Sequence, residues 1–203
     1  MQIPTRIGWL FGLGIPLILV AFFGCSTPTT DSNDSSLSFA VKHLKGRARY
    51  SSAGSGDWRS LKVGDQLRPG WLVKTPADGG YLDISMSRSI TVRCHPDTLT
   101  SITKVTRGFD GGGDRAELEL RAGRIYVRAE HSATCEVSFT NGVVRICDGL
   151  VGVYDWGRVD ALRGSAFVAL TGQSKPTKVP QGYSFNPSSG KICSLSFFLN
   201  RND

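Results

Sequence analysis

Histidine is scarce in this sequence: His43, His95 and His131 are the three it has in 203 residues. Few arrangements for general acid–base or nucleophilic catalysis near neutral pH can be built from so few imidazoles. The nucleophile-elbow pattern of glycine, serine and glycine is missing, and so is a phosphate-binding loop. Gly111-Gly112-Gly113 falls in a turn and precedes no helical pattern, so it cannot hold a phosphate at a helix N-terminus. Two carboxylate pairs are conceivable, Asp83 with Asp97 and Glu117 with Glu119, but the glutamates fall on the wet face of a strand. No catalytic residue is assigned, and a cell-wall-acting enzyme is only a minor alternative. Amphipathic helix is lacking too: no stretch after residue 40 sustains a 3.6-residue apolar repeat for three turns.

Period-two alternation takes its place. Leu82, Ile84 and Met86 alternate with Asp83 and Ser85, and Ile90, Val92 and Cys94 with Thr91 and Arg93. Ala116, Leu118 and Leu120 alternate with glutamates, and Ile125, Val127 and Ala129 with Tyr126 and Arg128. Each run predicts a strand with one buried and one wet face. Turn residues separate them, and the 24 glycines supply much of this punctuation. Asn141-Gly142, between VSFT and VVRIC, is a strong short hairpin signal. The expected fold is all-β, a sandwich or a short solenoid-like stack of antiparallel strands.

One helix is expected, at the N-terminus. Residues 7–24 carry no charge, and Arg6 lies just before them. The run is at the lower edge of membrane-spanning length and ends in Gly24-Cys25. It resembles a lipoprotein signal peptide over 1–24, which implies lipidation at Cys25; an uncleaved signal anchor is the alternative. Both place the remainder outside the cytoplasm, in the cell envelope, with the membrane as one partner. Residues 25–38 are mostly small and polar and read as a flexible tether.

Acidic residues are few between positions 42 and 75. Eight basic residues lie there (Lys42, Lys45, Arg47, Arg49, Arg59, Lys62, Arg68 and Lys74) against Asp57 and Asp65. Without residues 1–24 the chain has 23 basic and 17 acidic side chains, so this segment holds the whole excess. Arg47, Arg49, Lys62 and Arg68 are the candidate contacts to an anionic cell-wall polymer or an envelope protein. The alternation around Lys45, Arg47 and Arg49 predicts that they line one wet strand face. Export argues against nucleic acid as a partner.

The same stretch contains Trp58-Arg-Ser-Leu61, Gly64-Asp-Gln-Leu67, Gly70-Trp-Leu-Val73-Lys-Thr75 and Tyr81-Leu-Asp-Ile84. The glycines allow two turns at positive φ, with Leu67 and Val73 pointing into the core. This pattern resembles the FecR domain. Leu120-Arg-Ala-Gly123-Arg-Ile-Tyr-Val127, Val137-Ser-Phe-Thr140 and Val179-Pro-Gln-Gly182 resemble its later motifs in the same order. The resemblance covers 39–185 and leaves 186–203 as a C-terminal extension. It implies an envelope-side binding or sensing domain. Where the family commonly has Gly-Thr-x-Phe-x-Val, this chain has Leu150 for the threonine and Gly152 for the phenylalanine. Only six residues precede the apolar run, so the resemblance does not carry over the family's cytoplasmic anti-sigma segment.

Beyond Cys25 there are four cysteines, Cys94, Cys135, Cys147 and Cys193, an even number that suggests two disulfides in an oxidising compartment. A two-residue Asn141-Gly142 loop would set Phe139 opposite Val144 and Val137 opposite Ile146. Cys94 and Cys135 then share the inward phase, which favours Cys94–Cys135 and leaves Cys147–Cys193; a three-residue loop would oppose Cys135 to Cys147. Cys94-His95 and His131-x-x-x-Cys135 have zinc-like spacing but need reduced thiols and convergent geometry. No metal and no cofactor is expected. Trp71 and Trp156 either stack on sugars or pack at an edge. The expected function is a tethered, non-catalytic binding or sensing module, with a structural or assembly lipoprotein as the alternative.

Overall fold

The computed structural model describes residues 39–52, 55–108 and 112–195. The apolar run, Cys25 and the tether lie outside the described residues. The described residues fall in one compact unit, Asp34–Asp203. They form fifteen strands and no helix. In chain order these are β1 (Phe39–Lys45), β2 (Arg49–Ser51), β3 (Arg59–Ser60), β4 (Gln66–Leu67), β5 (Leu72–Lys74), β6 (Tyr81–Ser85), β7 (Ile90–Cys94) and β8 (Leu99–Thr106). They continue as β9 (Arg115–Ala122), β10 (Arg124–Phe139), β11 (Gly142–Tyr154), β12 (Val159–Leu170), β13 (Thr177–Val179), β14 (Tyr183–Asn186) and β15 (Lys191–Ser194).

All fifteen belong to one hydrogen-bonded sheet that divides at β10. Ile125–Ala129, in the first half of β10, pair with β7, which leads through β6 and β1 to β4. Thr134–Ser138, in the second half, pair with β9, which leads through β8, β5 and β2 to β3. The apolar faces of both arms enter one core. The chain crosses from arm to arm as it passes β1 through β10, and tight turns at positive φ serve these crossings. Gly64 and Gly70, at φ of 92° and 80°, flank β4, and Gly123, at 80°, precedes β10. The β7–β8 crossing uses Asp97 instead, at φ of 57°.

The alternation reads through faithfully. Leu82, Ile84, Met86, Ile90, Val92, Cys94, Ala116, Leu118, Leu120, Ile125, Val127 and Ala129 are all buried, as are Leu67 and Val73. The all-β fold is as expected, but two details differ. β9 and β10 run parallel, so the pairing is not wholly antiparallel. The β10–β11 hairpin pairs Phe139 with Gly142 and Val137 with Val144, so its loop is Thr140-Asn141, two steps from the expected register. Gly142 is used for close approach: a Cβ there would stand 2.4 Å from the Ala169 carbonyl oxygen of β12. A two-step shift leaves every side chain on its original face.

A line of bulges crosses the three longest strands. Pairing breaks between Ala129 and Thr134 in β10 and between Cys147 and Leu150 in β11. His131, Ser132 and Asp148 have φ of 55°, 62° and 53°, and Gly164 of β12 has 72°. Bulges bend strands, and at this bend β10 changes partner from β7 to β9. β12 divides likewise, Val159–Ala161 pairing with β14 and Ala166–Val168 with β13. β15 adds to β14, so the sheet continues to Ser194, past the Gly182 turn.

Candidate functional site

One ladder row crosses eight strands on the solvent side of the first arm. It runs His43, Asp83, Arg93, Tyr126, Gly152, Asp160, Ser184 and Cys193, on β1, β6, β7, β10, β11, β12, β14 and β15. Along β6, β7 and β10–β12, the neighbours of these residues in sequence point into the core, so the row is the opposite face of an amphipathic sheet. Two of its carboxylates are nonetheless buried, Asp83 at 6% exposure and Asp160 at 4%. Asp83 accepts from Arg93 Nε at 2.7 Å and Nη2 at 2.8 Å, with His43 Nδ1 at 3.3 Å. Asp160 accepts from Arg158 Nε at 2.8 Å, Ser184 Oγ at 2.6 Å and Tyr154 OH at 3.1 Å. Charge-assisted donors on both oxygens offset the desolvation of each carboxylate. The arginines are themselves covered on one side, Arg93 over the Tyr81 ring at 4.5 Å and Arg158 over Tyr154 at 5.2 Å.

Gly152 makes room for its ladder partner on β10. A Cβ there would lie 2.5 Å from Tyr126 Cε1, so the tyrosine ring occupies the space a side chain would need.

A groove of about 570 Å³ lies on this face. Its middle is formed by Asp83, Arg93 and Tyr126, and its next ladder row by Ser85, Thr91, Arg128 and Leu150. Lys42 and His43 close one end and Leu162 the other. The bulge in β1 between Val41 and His43 leaves both Lys42 and His43 exposed at the rim. Among the described residues neither Lys42 nor Arg128 has a carboxylate within salt-bridge distance, whereas five other arginines do. His95 also lines the groove, its ring edge-on to Tyr126 with centroids 4.7 Å apart. Its Nε2 is out of solvent and has no hydrogen-bond partner. Burial, with the Arg124 and Arg93 charges, holds its pKa below the ordinary 6.5, so the imidazole is neutral at neutral pH. Sequence reasoning missed this groove, because its residues lie on six strands and most of them register alone only as a polar residue on a wet face.

The basic segment does not form the single strand face expected of it. Lys45 ends β1 on one arm and Arg49 lies in β2 on the other; Arg47, Lys62 and Arg68 are in the connections between strands. All four candidate contacts are exposed. Arg49 pairs across the ladder with Lys74, two like charges directly opposite each other. Among the described residues none of the eight basic side chains has a carboxylate partner; the ion pairs lie elsewhere.

The four cysteines of the domain stand as free thiols in this structure, and neither expected bridge is formed. The inward phase of Cys94 and Cys135 is as expected, since both are fully buried. Phase is not proximity, however. Cys94 sits beside Ile125 at the start of β10 and Cys135 beside Ile146 beyond the bulge, so half of β10 separates them. Cys147 faces Thr134 and Ser165, while Cys193 lies beside Ser184 at the far edge. Burial pushes the Cys94 thiol up to about 12 and raises the Cys135 thiol further. Among the described residues no three His, Cys, Asp or Glu side chains gather. Cys94 points inward while His95 lines the outer groove, and Cys135 is buried while His131 is exposed.

Of the carboxylate pairs, Asp83 is bound to Arg93 while Asp97 is in an exposed turn, and Glu119 pairs with Arg121. Trp71 is stacked on Tyr50 at 4.8 Å, a packing role, whereas Trp156 is 49% exposed beside Tyr154.

No family model matches the sequence, and no curated protein does. Two crystal structures of a "putative anti-sigma factor" from Parabacteroides distasonis ATCC 8503 are similar to it in part, with TM-scores of 0.46 and 0.45 and identities of 13% and 11%. Each alignment covers 60% of this chain and 57% of the other, so the chain spans little more than half the length of those proteins.

Proposed function

We propose that this protein is an exported, membrane-tethered recognition domain of the FecR-like kind, non-catalytic, held at Cys25, whose basic segment contacts an anionic partner in the cell envelope. The observation that carries the reading is the set of eight basic side chains from Lys42 to Lys74 without a carboxylate partner among the described residues. Arg49 directly opposite Lys74 supports it further. Like charges paired across a ladder destabilise a sheet by a few tenths to about 1 kcal/mol. An anionic partner would relieve that repulsion on binding. Contacts of this sort are individually weak at an exposed surface and are screened by salt.

The test replaces Arg47, Arg49, Lys62 and Arg68 together with Gln and measures retention on isolated cell-wall fractions at low and high ionic strength. Wild-type protein should be retained at low salt and released at high salt, and the variant should be released at both. Equal retention of the two proteins at low salt would overturn the reading.

A further inference from the structure

We propose that the groove across β1, β6, β7, β10, β11 and β12 is a binding site for an acidic oligosaccharide lying perpendicular to the strands. The inference draws on the envelope-side reading above for the source of the ligand and shares Lys42 with the basic segment, but none of the four contacts substituted there, Arg47, Arg49, Lys62 and Arg68, lines the groove.

Shape comes first. Neighbouring strands are about 4.8 Å apart, so a groove spanning six strands extends roughly 24 Å. That length and a volume of about 570 Å³ suit a chain of several sugar units better than a single small ion. The floor is made of side chains across paired strands, not an open strand edge, so a peptide could not add to it by backbone pairing.

Charge comes second. Lys42 at the rim and Arg128 on the second ladder row make no salt bridge among the described residues. Arg93 uses Nε and Nη2 on Asp83, which leaves Nη1 to donate. Three cationic positions therefore follow the groove at separate strands, a spacing that fits acid groups repeated along a chain.

The third observation concerns hydroxyls. His95 lines the groove, and its Nε2, out of solvent in the ligand-free chain, has no hydrogen-bond partner, so a turn of the ring toward a bound ligand would gain one. A neutral imidazole nitrogen is either a donor or an acceptor according to its tautomer. A sugar hydroxyl can serve in either role, which a carboxylate or sulfate alone cannot. The Thr91 hydroxyl faces the same groove. Finally, Leu150 and the 42% exposed Leu162 form an apolar end, next to the Tyr126 ring in the middle, that matches the C–H face of a pyranose.

The experiment titrates the full chain in detergent with a tetragalacturonate, a sulfated tetrasaccharide, neutral maltotetraose and a tetraglutamate peptide. It follows binding by calorimetry and the His95 ring by nitrogen-15 NMR. Binding of either acidic tetrasaccharide with a shift of the His95 Nε2 resonance is expected, and the preference between the two distinguishes carboxylated from sulfated sources. Lys42→Gln and Arg128→Gln, both exposed and outside the core, should each weaken binding about tenfold, the loss of one charge-assisted hydrogen bond. The quadruple Gln variant of the basic segment should bind as wild type does, so the two proposals fail separately. Equal binding by wild type and Arg128→Gln, tighter binding of tetraglutamate or maltotetraose, or no binding of either acidic tetrasaccharide would each overturn the site.

Discussion

The ring of Tyr126 covers Gly152, so closely that a Cβ at 152 would stand 2.5 Å from its Cε1 and 3.0 Å from its Cδ1. The two residues are ladder partners on β10 and β11, at the centre of the eight-strand polar row. A glycine weakens a strand interior. Here it lets the tyrosine lie across the sheet and wall the groove.

Gly152→Ala should therefore destabilise the protein by about 1–3 kcal/mol, the usual range for forced overpacking. Tyr126→Ala in the same chain should recover part of that loss, because the obstructing ring is gone. Urea denaturation of the two single variants and the double variant measures the coupling. Additive losses would show that the contact does not govern the position.

The thiols should react in two classes. Cys94 and Cys135 are fully buried, with Cys94 pushed up to about 12 and Cys135 further, so almost no thiolate forms at pH 8. Cys147 is exposed and Cys193 half-buried. Timed alkylation of the native protein should label Cys147 and Cys193 first, and Cys94 and Cys135 only at the rate of unfolding. A non-reducing peptide map showing Cys94 joined to Cys135 would contradict the ladder register.

Stability should fall on both sides of neutrality, for different reasons. The folded-state pKa of His95 is lowered by burial and by Arg124 and Arg93, while the unfolded chain takes up a proton near 6.5. The unfolded state then binds more protons, so stability declines as pH drops below about 6.5 and this decline ends below the folded pKa. Tyr154 behaves in the opposite sense: burial and then Asp160 push its phenol from 10 up to about 12. Its contribution is complete below pH 10 and is lost as pH rises toward about 12. Denaturation midpoints across this range should lose the acid slope in part in His95→Gln and the alkaline slope in part in Tyr154→Phe.

The crossing between β7 and β8 should tolerate glycine and reject a β-branched residue. Asp97 has φ of 57° and is exposed, so Asp97→Gly should stay within about 1 kcal/mol of wild type, while Asp97→Val should be clearly worse. Gly123 faces this turn, and a Cβ there would stand 2.3 Å from the Asp97 carbonyl oxygen and 2.8 Å from Thr98 Cα. Gly123→Ala should lose more than about 2 kcal/mol, since neither backbone can easily move aside. Thermal melting of the three variants orders them.

Much of the fold was legible because side-chain alternation and turn chemistry are local. Leu82, Ile84, Val92, Ile125 and Val127 declared their inward face by spacing alone, and Gly64 and Gly70 declared their turns. The hairpin at Asn141 was recognised although its register was two steps off, because such a shift leaves the faces unchanged. The candidate basic contacts were correctly exposed, but their common face was not legible: Lys45 and Arg49 are neighbours in sequence and belong to different arms.

By itself, then, the sequence determined an all-β chain, the inward and outward side of its main strands, and the segment where positive charge collects. Those properties depend on residues a few positions apart. The tertiary structure alone decided which strands pair, and with that everything that depends on lateral neighbours. It placed Cys94 and Cys135 on one face but on either side of the bulge in β10. It set Arg49 against Lys74. It gathered Lys42, Arg93, His95, Tyr126 and Arg128 into one groove. The physical reason is that a strand's pleat is set by its own backbone, whereas its partners are set by long-range hydrogen bonding and shared burial, which no short window of sequence contains.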